Sequence, residues 1–172
     1  MREKRPAAIA SWGTVAKLPL AGKTDDHCQI GPTLIDDLIT GCRLVPLTVR
    51  GDERGSLVAI EGERDLPFPI KRVYYVFGTL PGVDRGLHAH HKVHQIAITV
   101  AGSCTMLLDD GQRRVSVRLD DPTVGLTLPP MVWHTMSDFS PDCVLMVLAD
   151  TVYDEADYIR DYDSFLAAVA SR

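Results

Sequence analysis

Between residues 42 and 149 the chain is a procession of short apolar segments cut apart by turn residues, and this limits what it can fold into. The segments fall at about 42–49, 54–61, 70–77, 95–101, 103–108, 113–119, 125–128, 132–139 and 143–149, with a histidine-bearing segment between the third and fourth. All are strand-length, and several alternate apolar with polar side chains. Arg50-Gly51-Asp52-Glu53-Arg54-Gly55 reads as a turn, and Asp109-Asp110-Gly111 as a hairpin. Only residues 155–170 look helical, with tyrosines and Ile159 spaced to dock a closing helix on the strands. The expected fold is all-β, a jelly-roll barrel or sandwich with a short C-terminal helix.

With 172 residues the chain is long enough for one domain with a real core. Residues 1–41 differ from the rest: a basic, proline-containing start and then Asp25-Asp26 and Gly31-Pro32. We read them as an N-terminal arm, mobile or packed on a partner, ahead of a domain at 42–172. A net charge of −5 argues against nucleic acid as the partner. No apolar run approaches the roughly 20 residues of a membrane span, and none resembles a signal peptide. Cys28, Cys42, Cys104 and Cys143 lack the spacing of a zinc ribbon or disulfide framework. Free thiols in a reducing cytoplasm are expected.

The chemistry concentrates in Gly82-Val83-Asp84-Arg85-Gly86-Leu87-His88-Ala89-His90-His91-Lys92-Val93-His94-Gln95. On a strand His88 and His90 share a face and His91 takes the other. Paired imidazoles lining a cavity can move protons, switch charge or ligate a metal. Gly82, His88, His90 and Gly102 match the first motif of the cupin barrels, with Gln95 where the motif has glutamate. The second motif is met loosely by Pro129, His134 and Asp138, with Met131 in place of its glycine and Asp138 in place of its asparagine. Cupins that bind metal use three histidines and that glutamate. Without the carboxylate the set is a poorer site for a divalent ion, although three histidines suffice for some zinc enzymes.

A more specific resemblance covers residues 49–165. Arg50-Gly-Asp-x-Arg-Gly-Ser-Leu, Pro67-Phe-x-Ile-Lys-Arg-Val-Tyr-Tyr, Arg85-Gly-x-His-Ala-His, Leu107-x-Asp-Asp-Gly and Tyr153-Asp-Glu-x-Asp-Tyr-Ile-Arg resemble the sugar 3,4-ketoisomerases acting on dTDP-4-keto-6-deoxyglucose. The resemblance implies a cupin-type barrel, a homodimer with exchanged strands, and catalysis with no metal or other cofactor. It implies that His88 is the catalytic base, His90 its partner in proton transfer, and Tyr74 an active-site tyrosine. It also places Arg54, Arg72 and Arg85 in matching stretches, as substrate-binding candidates beside Gln95 and His134. Arg54 together with His134 resembles the members that leave carbon 4 in the galacto configuration.

Alternation adds constraints of its own. Tyr74 and Tyr75 occupy opposite faces, as do Lys71 and Arg72, so one of each pair points inward. His91 should face solvent, and His94 lines either the barrel or a subunit seam. Trp133 is expected in the core or the cavity wall, and Asp109 and Asp110 in their turn. The expected activity is conversion of a dTDP-4-keto-6-deoxyglucose to a dTDP-3-keto-6-deoxyhexose. The competing readings are a metal-dependent cupin such as a dioxygenase, and a sugar-nucleotide binding module without catalysis.

Overall fold

The structure is a computed structural model and describes residues 38–172. Residues 1–37, most of the expected arm, lie outside the described residues, as does Cys28. The chain is in the core by Ile39, which is fully buried.

Twelve strands follow: β1 (Leu44–Pro46), β2 (Val49–Asp52), β3 (Gly55–Val58), β4 (Arg72–Phe77), β5 (Arg85–His90), β6 (Gln95–Ala101), β7 (Cys104–Asp109), β8 (Arg114–Leu119), β9 (Val124–Leu128), β10 (Trp133–Ser137), β11 (Val144–Ala149) and β12 (Tyr158–Ile159). Helix α1 (Tyr162–Ala170) closes the chain. Ten strands form two five-stranded antiparallel sheets, ordered β1-β9-β6-β11-β4 and β12-β5-β10-β7-β8. Among the described residues the remaining two, β2 and β3, pair only with each other, as a hairpin.

Alternation decides what each face meets. On β6, Ala97 enters the cluster between the sheets while Ile96 and Ile98 enter a second cluster on the outer face. Both faces are covered, which is why this strand reads as a continuous apolar run. Leu126, Leu145 and Val147 meet Met106, Leu108 and Val117 between the sheets. Each such side chain contributes about 1.5–3 kcal/mol by leaving water. Leu47, Leu66 and Phe68 cover the outer face of the first sheet.

The C-terminal segment departs from the expected single helix. Glu155–Asp157 is one 3-10 turn, Tyr158–Ile159 adds a strand to β5, and only Tyr162–Ala170 is α-helical. Asp161 accepts from the Ser164 N–H at 2.8 Å and starts the helix there. The tyrosines therefore part company. Tyr162 packs with Phe165, Trp133 and Ile159 over Ala89, whereas Tyr158 turns to the interior histidines.

The expected turn at 50–55 is also tighter than its sequence suggests. Strands β2 and β3 extend into it, leaving Glu53 and Arg54 at the tip. No helix among the described residues is long and apolar enough to cross a membrane.

Candidate active site

Strand β5 carries a bulge immediately before its histidines. Gly86 and Leu87 both hold positive φ, 81° and 54°. The pairing slips at this point: His134 of β10 faces His88, but Thr135 faces Gly86. One extra residue re-aims the strand, a common device beside functional sites. A Cβ on Gly86 would lie 2.8 Å from the His134 carbonyl oxygen, so the strands approach this closely only with glycine there.

Beyond the bulge His88 and His90 point between the sheets and Ala89 points outward under α1. His134 joins them from β10. The three residues are 9%, 2% and 3% exposed. Ring centroids lie 5.0 Å apart for His88–His90 and 4.6 Å for His88–His134. Opposite them, on β4, Arg72, Tyr74 and Val76 face inward while Val73, Tyr75 and Phe77 face out. The Tyr74 hydroxyl donates to Gln95 Oε1 at 2.6 Å. The Arg72 guanidinium lies over the Tyr74 and Tyr153 rings, 5.4 Å and 5.8 Å from their centroids.

Two residues of the tail belong to this cluster: Tyr158, which the sequence reading assigned to helix docking, and Asp157, to which it gave no role. The Tyr158 ring sits 4.9 Å from His88 and 4.3 Å from His90, centroid to centroid. Asp157, 8% exposed, places Oδ2 3.0 Å from His90 Nδ1. Their sequence signal was the Asp-Tyr-Ile-Arg match in the family-like tail. Helical periodicity in the same residues obscured it.

Burial pushes the His88 imidazole below its ordinary value. The same cause takes His90 to about 3, with repulsion from His88 and Arg72 adding to it. His134 is driven to about 3 by burial and by His88. The Tyr74 phenol is pushed up to about 12, first by burial and then by Tyr158. At neutral pH the cup thus holds uncharged imidazoles beside a protonated phenol. Among the described residues, the buried side-chain nitrogens with no hydrogen-bond partner are Arg72 Nε and Nη2, His88 Nδ1 and His90 Nε2. Each such atom costs about 1–3 kcal/mol until something binds it.

Ligand atoms of His88, His90 and His134 lie within 4.8 Å of one another, close enough to share a divalent ion. Among the described residues no carboxylate completes that set. Gln95 occupies the fourth cupin position with its amide oxygen taken by Tyr74, and Asp157 is engaged by His90 and by the Lys92 N–H.

Other candidates lie apart. Arg54, with its side chain 85% exposed, pairs with Asp52 at the tip of the β2–β3 hairpin. An open groove of about 590 Å³ runs along that hairpin, lined by Arg50, Arg54, Ser56 and Leu57. Arg85 is exposed at the start of β5. His91 faces solvent as alternation requires, and His94, 52% exposed, pairs with Asp150. Asp109 accepts from Arg114, Tyr162 and the Gly111 N–H, a turn-stabilising role.

The family model described as FdtA (WxcM-like, C-terminal) matches residues 40–170. The chain is 55% identical over 119 residues to the TDP-4-oxo-6-deoxy-alpha-D-glucose-3,4-oxoisomerase of Aneurinibacillus thermoaerophilus, covering 69% of this chain and 86% of that protein. Among solved structures it is similar to a His-to-Asn mutant of the 3,4-ketoisomerase QdtA from Thermoanaerobacterium thermosaccharolyticum in complex with TDP-4-keto-6-deoxyglucose. That similarity has 40% identity and a TM-score of 0.77, and covers 78% of this chain and 98% of that one. The TDP-quinovose 3,4-ketoisomerase WlaRB from Campylobacter jejuni gives 43% identity and a TM-score of 0.73, over 75% of this chain and 99% of that one.

Proposed function

The chain belongs to the FdtA family of nucleotide-sugar 3,4-ketoisomerases, and on that premise we propose that it moves the ketone of TDP-4-keto-6-deoxyglucose from carbon 4 to carbon 3 with its own side chains. Membership sets aside the dioxygenase and the non-catalytic module. The carrying observation is the set of buried side-chain nitrogens on Arg72, His88 and His90 that have no hydrogen-bond partner among the described residues.

The proton on carbon 3 is acidified by the neighbouring carbonyl. His88, uncharged at neutral pH, takes it, and the electrons of that bond form an enediolate across carbons 3 and 4. The charge gathers on the carbon-4 oxygen, where a protonated Tyr74 donates a hydrogen bond. A proton then enters at carbon 4, the proton of the carbon-3 hydroxyl passes to the carbon-4 oxygen, and the ketone stands at carbon 3. His90 serves as partner in these transfers. No net oxidant or reductant is consumed.

Arg72 meets the negative charge of the nucleotide diphosphate, for which a planar guanidinium suits. Gln95 holds the Tyr74 hydroxyl in position, and Arg85 is a further candidate for substrate contact. We read His134 as deciding, with Arg54, the face on which carbon 4 is reprotonated, giving the galacto product. Its support is the 4.6 Å approach of its ring to His88.

The working unit is a homodimer in this reading. Val73, Tyr75 and Phe77 expose an apolar face on the edge strand β4, at 56%, 62% and 66%. Arg54, on a hairpin that among the described residues pairs with neither sheet, then reaches a substrate held by another copy. The buried thiols of Cys104 and Cys143 support a reducing, cytoplasmic setting.

Incubation with TDP-4-keto-6-deoxyglucose in deuterated water, followed by proton NMR, tests the reading. The 3-keto product should appear with deuterium at carbon 4, at the same rate with and without chelator, and the same reaction in ordinary water should show the H4–H5 coupling of the galacto sugar. Loss of turnover on chelation, or no exchange at carbon 3, overturns it.

A further inference from the structure

We propose that Asp157 is the positioning residue for His90, fixing the imidazole in the tautomer that carries its proton on Nδ1 and presents a bare Nε2 to the cup. The inference deepens the isomerase reading and rests on it for the role of His90.

Both partners are buried, His90 at 2% and Asp157 at 8% exposure. Asp157 Oδ2 lies 3.0 Å from His90 Nδ1. Its other oxygen, Oδ1, accepts the Lys92 N–H at 2.9 Å, and the Asp157 carbonyl accepts the His91 N–H at 3.0 Å. Strand β12 begins at the next residue and pairs Tyr158 with His90. The carboxylate is thus tied by its second oxygen to the chain just past His90, and the Asp157 backbone is held to the same segment.

An ionised carboxylate only accepts, so the nitrogen facing it must bear hydrogen. His90 Nε2 is then the lone-pair nitrogen, and it is one of the buried atoms with no protein partner. His134 is set the same way by a weaker acceptor, the Val132 carbonyl oxygen, 3.2 Å from its Nδ1. The carboxylate does more than orient. When Nε2 receives a proton, the imidazolium forms beside a fixed negative charge in a low-dielectric site. A transfer partner needs both properties.

The Lys92 N–H supplies a decisive test. In Asp157→Asn the side-chain oxygen must stay on that backbone donor, because the amide NH2 cannot accept from it. The NH2 is therefore turned to His90 Nδ1 and can only donate. His90 is forced into the opposite tautomer, with hydrogen on Nε2, in a protein of nearly unchanged shape. Asp157→Ala instead removes both contacts. It leaves the Lys92 N–H unpartnered but lets His90 choose its tautomer.

Protein with 15N-labelled histidine, examined by long-range 1H–15N correlation without substrate, should show His90 protonated on Nδ1 in the wild type and on Nε2 in Asp157→Asn. Turnover should then fall by about 10²–10⁴-fold in Asp157→Asn, the scale of a triad tautomer error in serine proteases. KM should stay within about threefold, since no substrate contact is lost. Asp157→Ala should be less thermostable than Asp157→Asn yet retain the higher kcat. A merely structural role would make kcat follow stability and would leave the tautomer alone. An unchanged tautomer, Asp157→Asn turnover within about threefold of wild type, or kcat values ranked as the melting temperatures overturns the proposal. Failure of the isomerase reading is distinguishable, because wild-type protein would give no product while the tautomer measurement still stands.

Discussion

A buried imidazole is costly to charge, and three together are costlier still. His88, His90 and His134 are each held in the base form by burial, and repulsion from neighbouring rings adds to it at His90 and His134. For His88 the sign follows directly. A depressed value keeps the ring unprotonated as pH falls below its ordinary value of about 6.5. The acid limb of kcat/KM should therefore lie below pH 6.5 and descend only as the lowered value is crossed. Tyr74, pushed up to about 12, stays a donor through ordinary alkaline conditions, so that side should remain flat well past pH 9. A pH–rate profile checks both limbs, and an acid limb at or above 6.5 contradicts the environment described. His88→Asn keeps a polar side chain of similar size and removes the base. Turnover and carbon-3 exchange should drop by about 10²–10⁴-fold while the circular dichroism spectrum is retained. Exchange at the wild-type rate would remove His88 from the role of base. Met131 shows another residue-scale compromise. It holds φ 61° where the second cupin motif has glycine, and its side chain is buried with Trp133 and Phe165. The conformation survives the substitution because packing holds it.

The C-terminal segment acts as a strap with two anchors at the scale of elements. Strand β12 hydrogen-bonds to β5 and delivers Asp157 and Tyr158 to the interior. Helix α1 holds the strap down through Phe165, fully buried against Trp133, with Ile159 and Ala89 in the same cluster. Ala89 lies between the two histidines in sequence, so this cluster supports the back of their strand. Phe165→Ala should cost about 3–5 kcal/mol, read as a lowered urea midpoint with unchanged slope. It should also lower turnover at temperatures where the bulk of the protein remains folded. Equal loss of stability with turnover untouched would separate the helix from the site.

For the whole molecule, the distribution of apolar surface is uneven. The outward face of β4 carries Val73, Tyr75 and Phe77, all more than half exposed, and Leu57 on the hairpin is 59% exposed. A single copy leaves these in water, and a second copy would cover them. Tyr75→Glu places a charge at the centre of that strip. Size-exclusion chromatography with light scattering should show a dimer in the wild type and a monomer in the variant. If Arg54 serves a neighbouring copy, KM should rise in the monomer as well. A wild-type monomer with full activity would exclude this assembly.

The strand procession, its hairpins and the Gly82–Gly102 box are local facts, written in neighbouring residues and period-two alternation. They were legible without coordinates, as was the outward His91; alternation left Tyr74 and Tyr75 open, and the family-like stretches selected Tyr74. The family-like stretches gave the reaction class. Three things depended on which distant strands lie side by side. The bulge at Gly86–Leu87 is a mismatch in pairing between β5 and β10, so neither strand alone records it. His134 stands beside His88 because their strands are neighbours, although 46 residues separate them in the chain. Asp157 and Tyr158 look helical by spacing and become a strap because β5 offers an unpaired edge that their backbone can satisfy. Alternation sets which face a side chain takes, and only tertiary pairing sets what it meets there.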